Sequence, residues 1–560
     1  MRVSISYIIV FVAAMLTTGC AKQGMPSGGP KDVTPPKTLR TTPENRSMGF
    51  TGDQFYVEFD EYVVLKDAEN NILVSPPMAT KPEYKTKGKG VLVKIKDTLQ
   101  PNTTYLFQFK NAIADYNEGN LLPSMEYVFS TGSYIDSMSI SGRVVDALTF
   151  EPREDAISVW LMSAADGESF MATYGDSAAP APTLAYTTRC DKDGTFRFNY
   201  IRPGQYSIFA VCDENKNNQI DAGEAMAFRK ESVEALIMND STADSTAKPV
   251  ADTGGVRLLL FAPKTAKQRI TGSDFTAAGK VRITSLMPMN GPAIDCGGKE
   301  VVWRFNATRD TLTLWTMDKK CDSLHITISD ATGIEDTLRL RWRPKKSLAT
   351  SKPQSDMKLN FTKLPYYETL VLLFGTPLAT GQETVDSAVC ITRLKDSIAI
   401  YCPVFVDSSL LKARIGFDFS QGEKYGIKIT QGRIKNIYGI GNDSLQTTVE
   451  VTKTEDYGNL SVKVTPVEPM LPGFAVVQLL NEKGNAVASK RVFIGIETAK
   501  FQHLTPGKYR VRAIVDSNGN GEWDTGDFRA MQQPEKVIYL PKTLDVRANW
   551  DFEETIEIGD

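Results

Sequence analysis

The chain has 560 residues, 41% of them apolar and 23% charged, with a formal net charge of −3. A single hydrophobic core is implausible at this length, and about four or five domains of ordinary size are expected. The charge is near neutral and interspersed in sign, which excludes a basic nucleic-acid footprint and an acidic tail. Two histidines, His325 and His503, occur in the whole chain. One lies in an alternating run and the other just before a Pro-Gly turn, so both read as structural, and the commonest general acid–base and zinc chemistry is starved. No serine has partners for a triad, and no phosphate-cradling glycine loop is present.

The first element follows Arg2: an apolar stretch from Tyr7 to Leu16, then Thr17-Thr18-Gly19-Cys20. It is too short to span a bilayer and reads as the core of a signal peptide over residues 1–19. Gly19-Cys20 resembles a bacterial lipobox, although Leu16 stands one place further back than usual and Thr17 takes its position. The resemblance implies that Cys20 is lipidated and becomes the first mature residue; an ordinary signal peptide followed by an unrelated cysteine is the alternative. Residues 20–31 are rich in Gly, Pro and Ser and read as a flexible tether. No later segment is apolar and long enough to cross a membrane, so lipid is the expected anchor.

Beyond the tether, helical periodicity is scarce. Short alternating runs bounded by Gly, Pro, Asn and Asp recur instead, clearest at Gln54–Phe59, Val91–Ile95, Thr104–Phe109, Thr311–Trp315, His325–Ile328 and Thr337–Trp342. Many short strands at regular spacing indicate β-sandwiches in series. The fold class is therefore all-β, with Ig-like and prealbumin-like sandwiches in tandem. In 32–134, the runs FDEYVVL, SPP, PNTTYLFQF, AIADYNEGN and YVFSTG resemble the S-layer-type bacterial Ig-like domain. In 135–263, SGRVVDALTFEP and DKDGTFRFNYIRPGQYSI resemble the carboxypeptidase-regulatory-like sandwich, and its Ser/Thr/Ala/Asp-rich stretch from Asn239 to Gly255 is expected to be mobile. Residues 264–345 form an all-β unit of unassigned type, and 346–454 echo the first unit at Tyr425–Ile429 and the turns that follow. Residues 455–560 repeat the regulatory-like hairpin.

That repetition is the most informative pattern in the chain. IRPGQYSIFAVCDENKNNQIDAGE begins at Ile201 and LTPGKYRVRAIVDSNGNGEWDTGD begins at Leu504. Each carries a Pro-Gly turn, an alternating strand and then oxygen donors spaced as in a twelve-residue calcium loop. The first set is Asp213, Asn215, Asn217, the Gln219 carbonyl, Asp221 and Glu224. The second is Asp516, Asn518, Asn520, the Glu522 carbonyl, Asp524 and Asp527. Three carboxylates per loop offset a divalent charge, so two calcium ions are the expected cofactors; a plain hairpin loop held by its Asn and Asp side chains is the alternative. A strand rather than a helix enters each loop, which argues against a true EF-hand. Asp527 is shorter than Glu224 and predicts the weaker site.

Six cysteines remain after Cys20 and fall into neighbour pairs, Cys190/Cys212, Cys296/Cys321 and Cys390/Cys402. Export makes disulfides possible, with free buried thiols as the alternative. Triplets of Asp-[Ser/Thr]-[Ala/Leu/Ile/Val/Met/Thr] at Asp97, Asp136, Asp176, Asp240, Asp244, Asp310, Asp322, Asp336, Asp386, Asp396 and Asp443 are similar to the O-glycosylation signal of Bacteroides exported proteins. The domain order resembles a family of Ig-like-domain lipoproteins from the Bacteroidetes, which implies a cell-envelope, outer-membrane location. The function expected is a non-enzymatic, lipid-anchored structural or adhesion protein, with envelope glycan or protein as partner and no nucleic acid. The rival is a glycan-binding accessory lipoprotein of a polysaccharide-uptake system. That role needs exposed aromatics, for which Trp160, Trp303, Trp315, Trp342, Trp523 and Trp550 are the candidates and Trp523 the best placed.

Overall fold

The structure, a computed structural model, describes residues 32–153, 156–173, 182–213, 220–221, 223–237, 255–263, 268–343, 357–467 and 473–559. Its regular structure is overwhelmingly strand, arranged as β-sandwiches in tandem. The chain divides into two compact units, one comprising residues up to Asp146 with Phe150–Leu260, the other Ala147–Thr149 with Phe261–Asp560.

In the first unit, the strand Gln54–Phe59 alternates as its sequence requires, turning Phe55, Val57 and Phe59 inward. It lies between Thr38–Thr42 and Gly90–Lys94, with Glu83–Lys87 at the far edge. Leu73–Ser75, Thr104–Gln108 and Glu126–Ser130 form the facing sheet. Phe55 stacks on Tyr127 at 3.9 Å and meets Phe107 edge-on at 5.0 Å, so aromatic contacts join the two layers. Burying each such ring stabilises the sandwich by about 1.5–3 kcal/mol. Beside this core, Asp115 is buried and caps the turn after Ile113–Asp115. Its carboxylate accepts the backbone N–H groups of Glu118, Gly119 and Asn120 at 2.6, 3.0 and 2.7 Å.

The second sandwich of this unit places Thr195–Ile201, Met138–Asp146 and Leu236–Ile237 in one sheet, with Val256–Leu260 running parallel to Met138–Asp146. The opposing sheet orders Tyr186–Arg189, Ser158–Ser163, Gln205–Val211 and Met226–Phe228. Gly142 lets the parallel strand approach, since a Cβ there would fall 2.0 Å from the Val256 carbonyl oxygen. The helix Ala164–Thr173, absent from the sequence reading, sets Phe170 edge-on to Phe209 at 5.4 Å. It covers the outer face of the sheet, which is why Ser158–Ser163 and Gln205–Val211 are buried on both faces and why Trp160 is fully enclosed. Continuous burial of this kind removes the alternation that marks a half-exposed strand.

In the second unit, Ile270–Ala277, Lys280–Ser285, Thr311–Thr316 and Val301–Phe305 form one sheet of a sandwich, and Ala293–Asp295, Ser323–Ser329 and Glu335–Arg341 the other. Residues 358–451 contribute a single eight-stranded sheet wrapped around one core that includes Leu372, Val389, Val404, Tyr425 and Val449. Its turn at Asn436, whose side-chain oxygen accepts from the N–H groups of Tyr438 and Ile440, is built like the Asp115 turn. The last sandwich pairs Thr498–Leu504, Gly458–Pro466 and Asp551–Ile558 against Ala486–Phe493, Phe474–Leu480, Gly507–Asp516 and Val537–Tyr539. Its parallel pairing of Gly458–Pro466 with Asp551–Ile558 repeats the parallel strand of the first unit.

Tyr200 and His503 occupy equivalent places just before the two Pro-Gly turns, each left-handed at φ 57°. Tyr200 packs on Leu106 and Val128, and His503 stacks on Tyr367 with ring centroids 4.0 Å apart. In both units this residue joins its sandwich to the preceding Ig-like or Ig-echoing one, which gives His503 the structural role expected of it.

Candidate metal centre

The strands entering the two loops share one register. Val211 opposes Ser158 on one side and Met226 on the other, and Ile514 opposes Val476 and Val537. Val211 and Ile514 are therefore equivalent, and so are Asp213 and Asp516 two residues further on. Counting back from the returning strands Met226–Phe228 and Val537–Tyr539, the residue equivalent to Glu224 is Glu535. The hydrogen bonds repeat with the register. Asp221 donates its N–H to Glu224 Oε2 at 2.9 Å while the Glu224 N–H donates to the Asp221 carbonyl at 3.2 Å. In the second loop the Asp524 N–H reaches Glu535 Oε2 at 3.0 Å and the Glu535 N–H the Asp524 carbonyl at 3.0 Å.

Asp527, expected to close the second loop, does not stand at the place equivalent to Glu224; by register that place is held by Glu535. Asp527 is exposed, its carboxylate accepts the Ala530 N–H at 3.2 Å, and its backbone bridges to Gln532. It belongs to a turn inserted between the loop and the returning strand. A fixed twelve-residue template ends before such an insertion, so Glu535, after Gln533-Pro534, gave no signal in the sequence.

Asp516, Asn518, Asn520 and Asp524 are drawn together. Both amides donate to Asp524 Oδ2, from Asn518 at 2.5 Å and from Asn520 at 2.6 Å. The Asn518 side-chain oxygen accepts the Asn520 N–H, and the Asn520 oxygen accepts the Glu522 N–H. Asp516 has a fully buried side chain whose Oδ2 accepts the Gly521 N–H at 3.0 Å, with φ +81° at that glycine. Its other oxygen, Oδ1, is buried without a hydrogen-bond partner. Leaving a buried acceptor of this kind unmatched costs about 1–3 kcal/mol. Glu535, also buried, accepts at Oε1 from the Ser517 N–H and hydroxyl at 2.7 and 2.6 Å. The donor set fits a hard cation in its oxygen chemistry. Among the described residues, no three His, Cys, Asp or Glu side chains are grouped so as to hold a metal ion.

An arginine two strands away pairs with the strand-end aspartate of the second loop. Arg491 lies over the Phe474 ring at 3.9 Å and pairs its Nε with Asp516 Oδ2 at 3.0 Å. Arg189, opposite Ser158, is its counterpart by register, and its guanidinium donates to the Asn70 carbonyl. Burial lowers the Arg189 pKa, and the charges of Asp213 and Asp67 act against that shift. In the first loop Asp213 is buried at the strand end, while Asn215, Asn217 and Gln219 lie outside the described residues.

Trp523 is not the open platform expected of it. It is half-buried and its indole N–H donates to the Glu535 carbonyl at 3.1 Å, whereas Trp550 is 55% exposed. No disulfide joins any of the six cysteines that follow Cys20 in the structure. Cys390 opposes Tyr401 and Cys402 opposes Val389, so the two cysteines occupy adjacent positions of the ladder, and their side chains leave opposite faces of the sheet. Cys190 and Cys212 end strands separated by Ser158–Ser163, a spacing of about 9–10 Å that exceeds disulfide reach. Burial pushes the Cys190 thiol up to about 12. Cys296 and Cys321 are buried in one core, and the Cys321 thiol donates to the Ser323 carbonyl at 3.1 Å. Cys20 lies outside the described residues. No helix among the described residues is long and apolar enough to cross a membrane. A cleft of about 150 Å³ lined by Lys280, Trp315, Phe374, Ile434 and Tyr438 carries no carboxylate, histidine or cysteine.

No curated protein matches the chain. Among solved structures it is similar to the Bacillus anthracis TIE protein, at 12% identity over 95% of this chain and 76% of that one, with a TM-score of 0.14. The major pilin subunit BcpA of Bacillus cereus is 10% identical over 75% of this chain and 98% of its own, with a TM-score of 0.15. The S-layer protein rSbsC is 11% identical over 91% and 67%, with a TM-score of 0.14. Likeness at these scores carries no argument about function. Residues 32–131 match the family described as the bacterial Ig-like domain.

Proposed function

We propose that this chain is a lipid-anchored, non-enzymatic protein of the cell envelope whose tandem sandwiches hold a binding surface away from the membrane, with calcium stiffening its two hairpin loops. The observation that supports it is the repetition of one loop construction in two sandwiches, each with a strand-end aspartate, an arginine at the same register two strands away and a glutamate two residues before the returning strand. The same kind of ion bound in each loop accounts for that repetition, because an empty acidic loop repels itself and frays. The Ig-like domain matched at residues 32–131 is consistent with an envelope role. Replacing Cys20 with Ser tests the anchor: the variant is expected in the soluble fraction, with unprocessed precursor accumulating. A Cys20→Ser protein that is processed normally and stays membrane-bound contradicts the lipid anchor.

A further inference from the structure

We propose that the second loop is a cation site closed by Glu535 rather than Asp527, with Arg491 as its resident counter-charge. The oxygens offered to a divalent ion then come from Asp516, Asn518, Asn520, Asp524 and Glu535. The proposal rests on the calcium reading above and assigns the ligands and their control. Asp516 and Glu535 are both buried, and Ser517, which follows Asp516 in the chain, donates its N–H and hydroxyl to Glu535. Buried charges are paired or coordinate metals. One guanidinium, that of Arg491, meets Asp516 at Oδ2, and no ion pair reaches Glu535 among the described residues. Asp516 Oδ1 is left buried and unmatched on a carboxylate that is already turned into the loop by the Gly521 N–H. Glu535 is oriented by bonds to loop positions two and nine, Ser517 and Asp524, so its carboxylate spans the loop's two sides. Asp527 is exposed and committed to the inserted turn. Because the guanidinium shares Asp516 with the incoming ion, it weakens the site, and its removal strengthens binding.

Terbium luminescence excited through Trp523 reads this loop, and a Trp523→Phe control identifies its share of the signal, since Trp160 lies opposite Phe209 on the strand entering the first loop. In the full chain, Glu535→Gln is expected to weaken terbium and calcium binding at this site by about 10–100-fold, the scale seen when a metal site loses a supporting group. Asp527→Asn is expected to leave the affinity unchanged, and Arg491→Gln to raise it severalfold. Far-ultraviolet circular dichroism and melting in chelator establish that each variant is folded. Should Glu535→Gln fail to fold, Glu535→Asp, which keeps the charge at shorter reach, is expected to show the weakened site instead. If Asp527→Asn abolishes binding while the Glu535 variant retains it, the ligand assignment is wrong. If calorimetry finds two calcium sites in the wild type and neither Glu535 nor Arg491 variants shift the second, calcium stands and this inference falls. A wild type that takes up neither ion overturns the calcium reading first, and this inference with it.

Discussion

At the scale of single residues, the Asp115 turn shows how a buried carboxylate is kept charged. Burial raises its pKa, yet the N–H groups of Glu118, Gly119 and Asn120 together outweigh that effect and hold it below the ordinary value of 3.8. A folded-state pKa lowered in this way means that the unfolded chain takes up the proton first. The contribution to stability is therefore full above the unfolded value and is lost as pH falls through the folded one. Asp115→Asn is expected to lower the melting temperature near neutrality and to flatten its decline over roughly pH 5 to pH 3. Melting curves across that range check it, and an unaltered pH slope in the variant counts against the turn's role. The AIADYNEGN run announces a turn, but which of its acids turns inward depends on the pairing of Ile113–Asp115 with Val63–Leu65.

At the scale of elements, strand alternation was legible wherever one face meets solvent. Gln54–Phe59 and Ser323–Ser329 stand where their sequence pattern places them. It failed at Ser158–Ser163, where a helix with little apolar signal covers the second face. Register was less legible. The symmetry of Cys390 and Cys402 about Asp396 suggests facing residues, but the pairing of Cys390 with Tyr401 displaces the cysteines by one position and sends them to opposite faces. Peptide mapping of unreduced, alkylated protein is therefore expected to find Cys190, Cys212, Cys390 and Cys402 modified as free thiols. A peptide joining Cys390 to Cys402 would show that the ladder has slipped.

At the scale of the whole molecule, the two loops should act on stability together. An ion that binds only the folded chain stabilises it by mass action, by about 2.7 kcal/mol at a hundredfold excess over Kd. Saturating calcium is expected to raise the melting temperature, with part of the gain removed by Asp213→Asn and part by Asp516→Asn. Each substitution acts on its own loop, because the sandwiches have separate cores. If calcium leaves the melting of the wild type unchanged, the loops are hairpin turns stabilised by their own side chains. The glycan-binding rival loses Trp523 as its platform and now depends on exposed rings such as Trp550.

The sequence by itself determined that the chain is a series of β-sandwiches and that two of them end a hairpin in the same oxygen-rich loop. Alternation and donor spacing are local properties, carried by residues a few positions apart. Only the tertiary structure decided that Glu535 stands at the place equivalent to Glu224, that Arg491 pairs with the strand-end Asp516, and that the cysteines of Cys390/Cys402 turn apart. Each of these depends on which strands lie side by side and in what register, and on an insertion that lengthens the sequence without moving the returning strand. Those relations join residues that no local pattern connects.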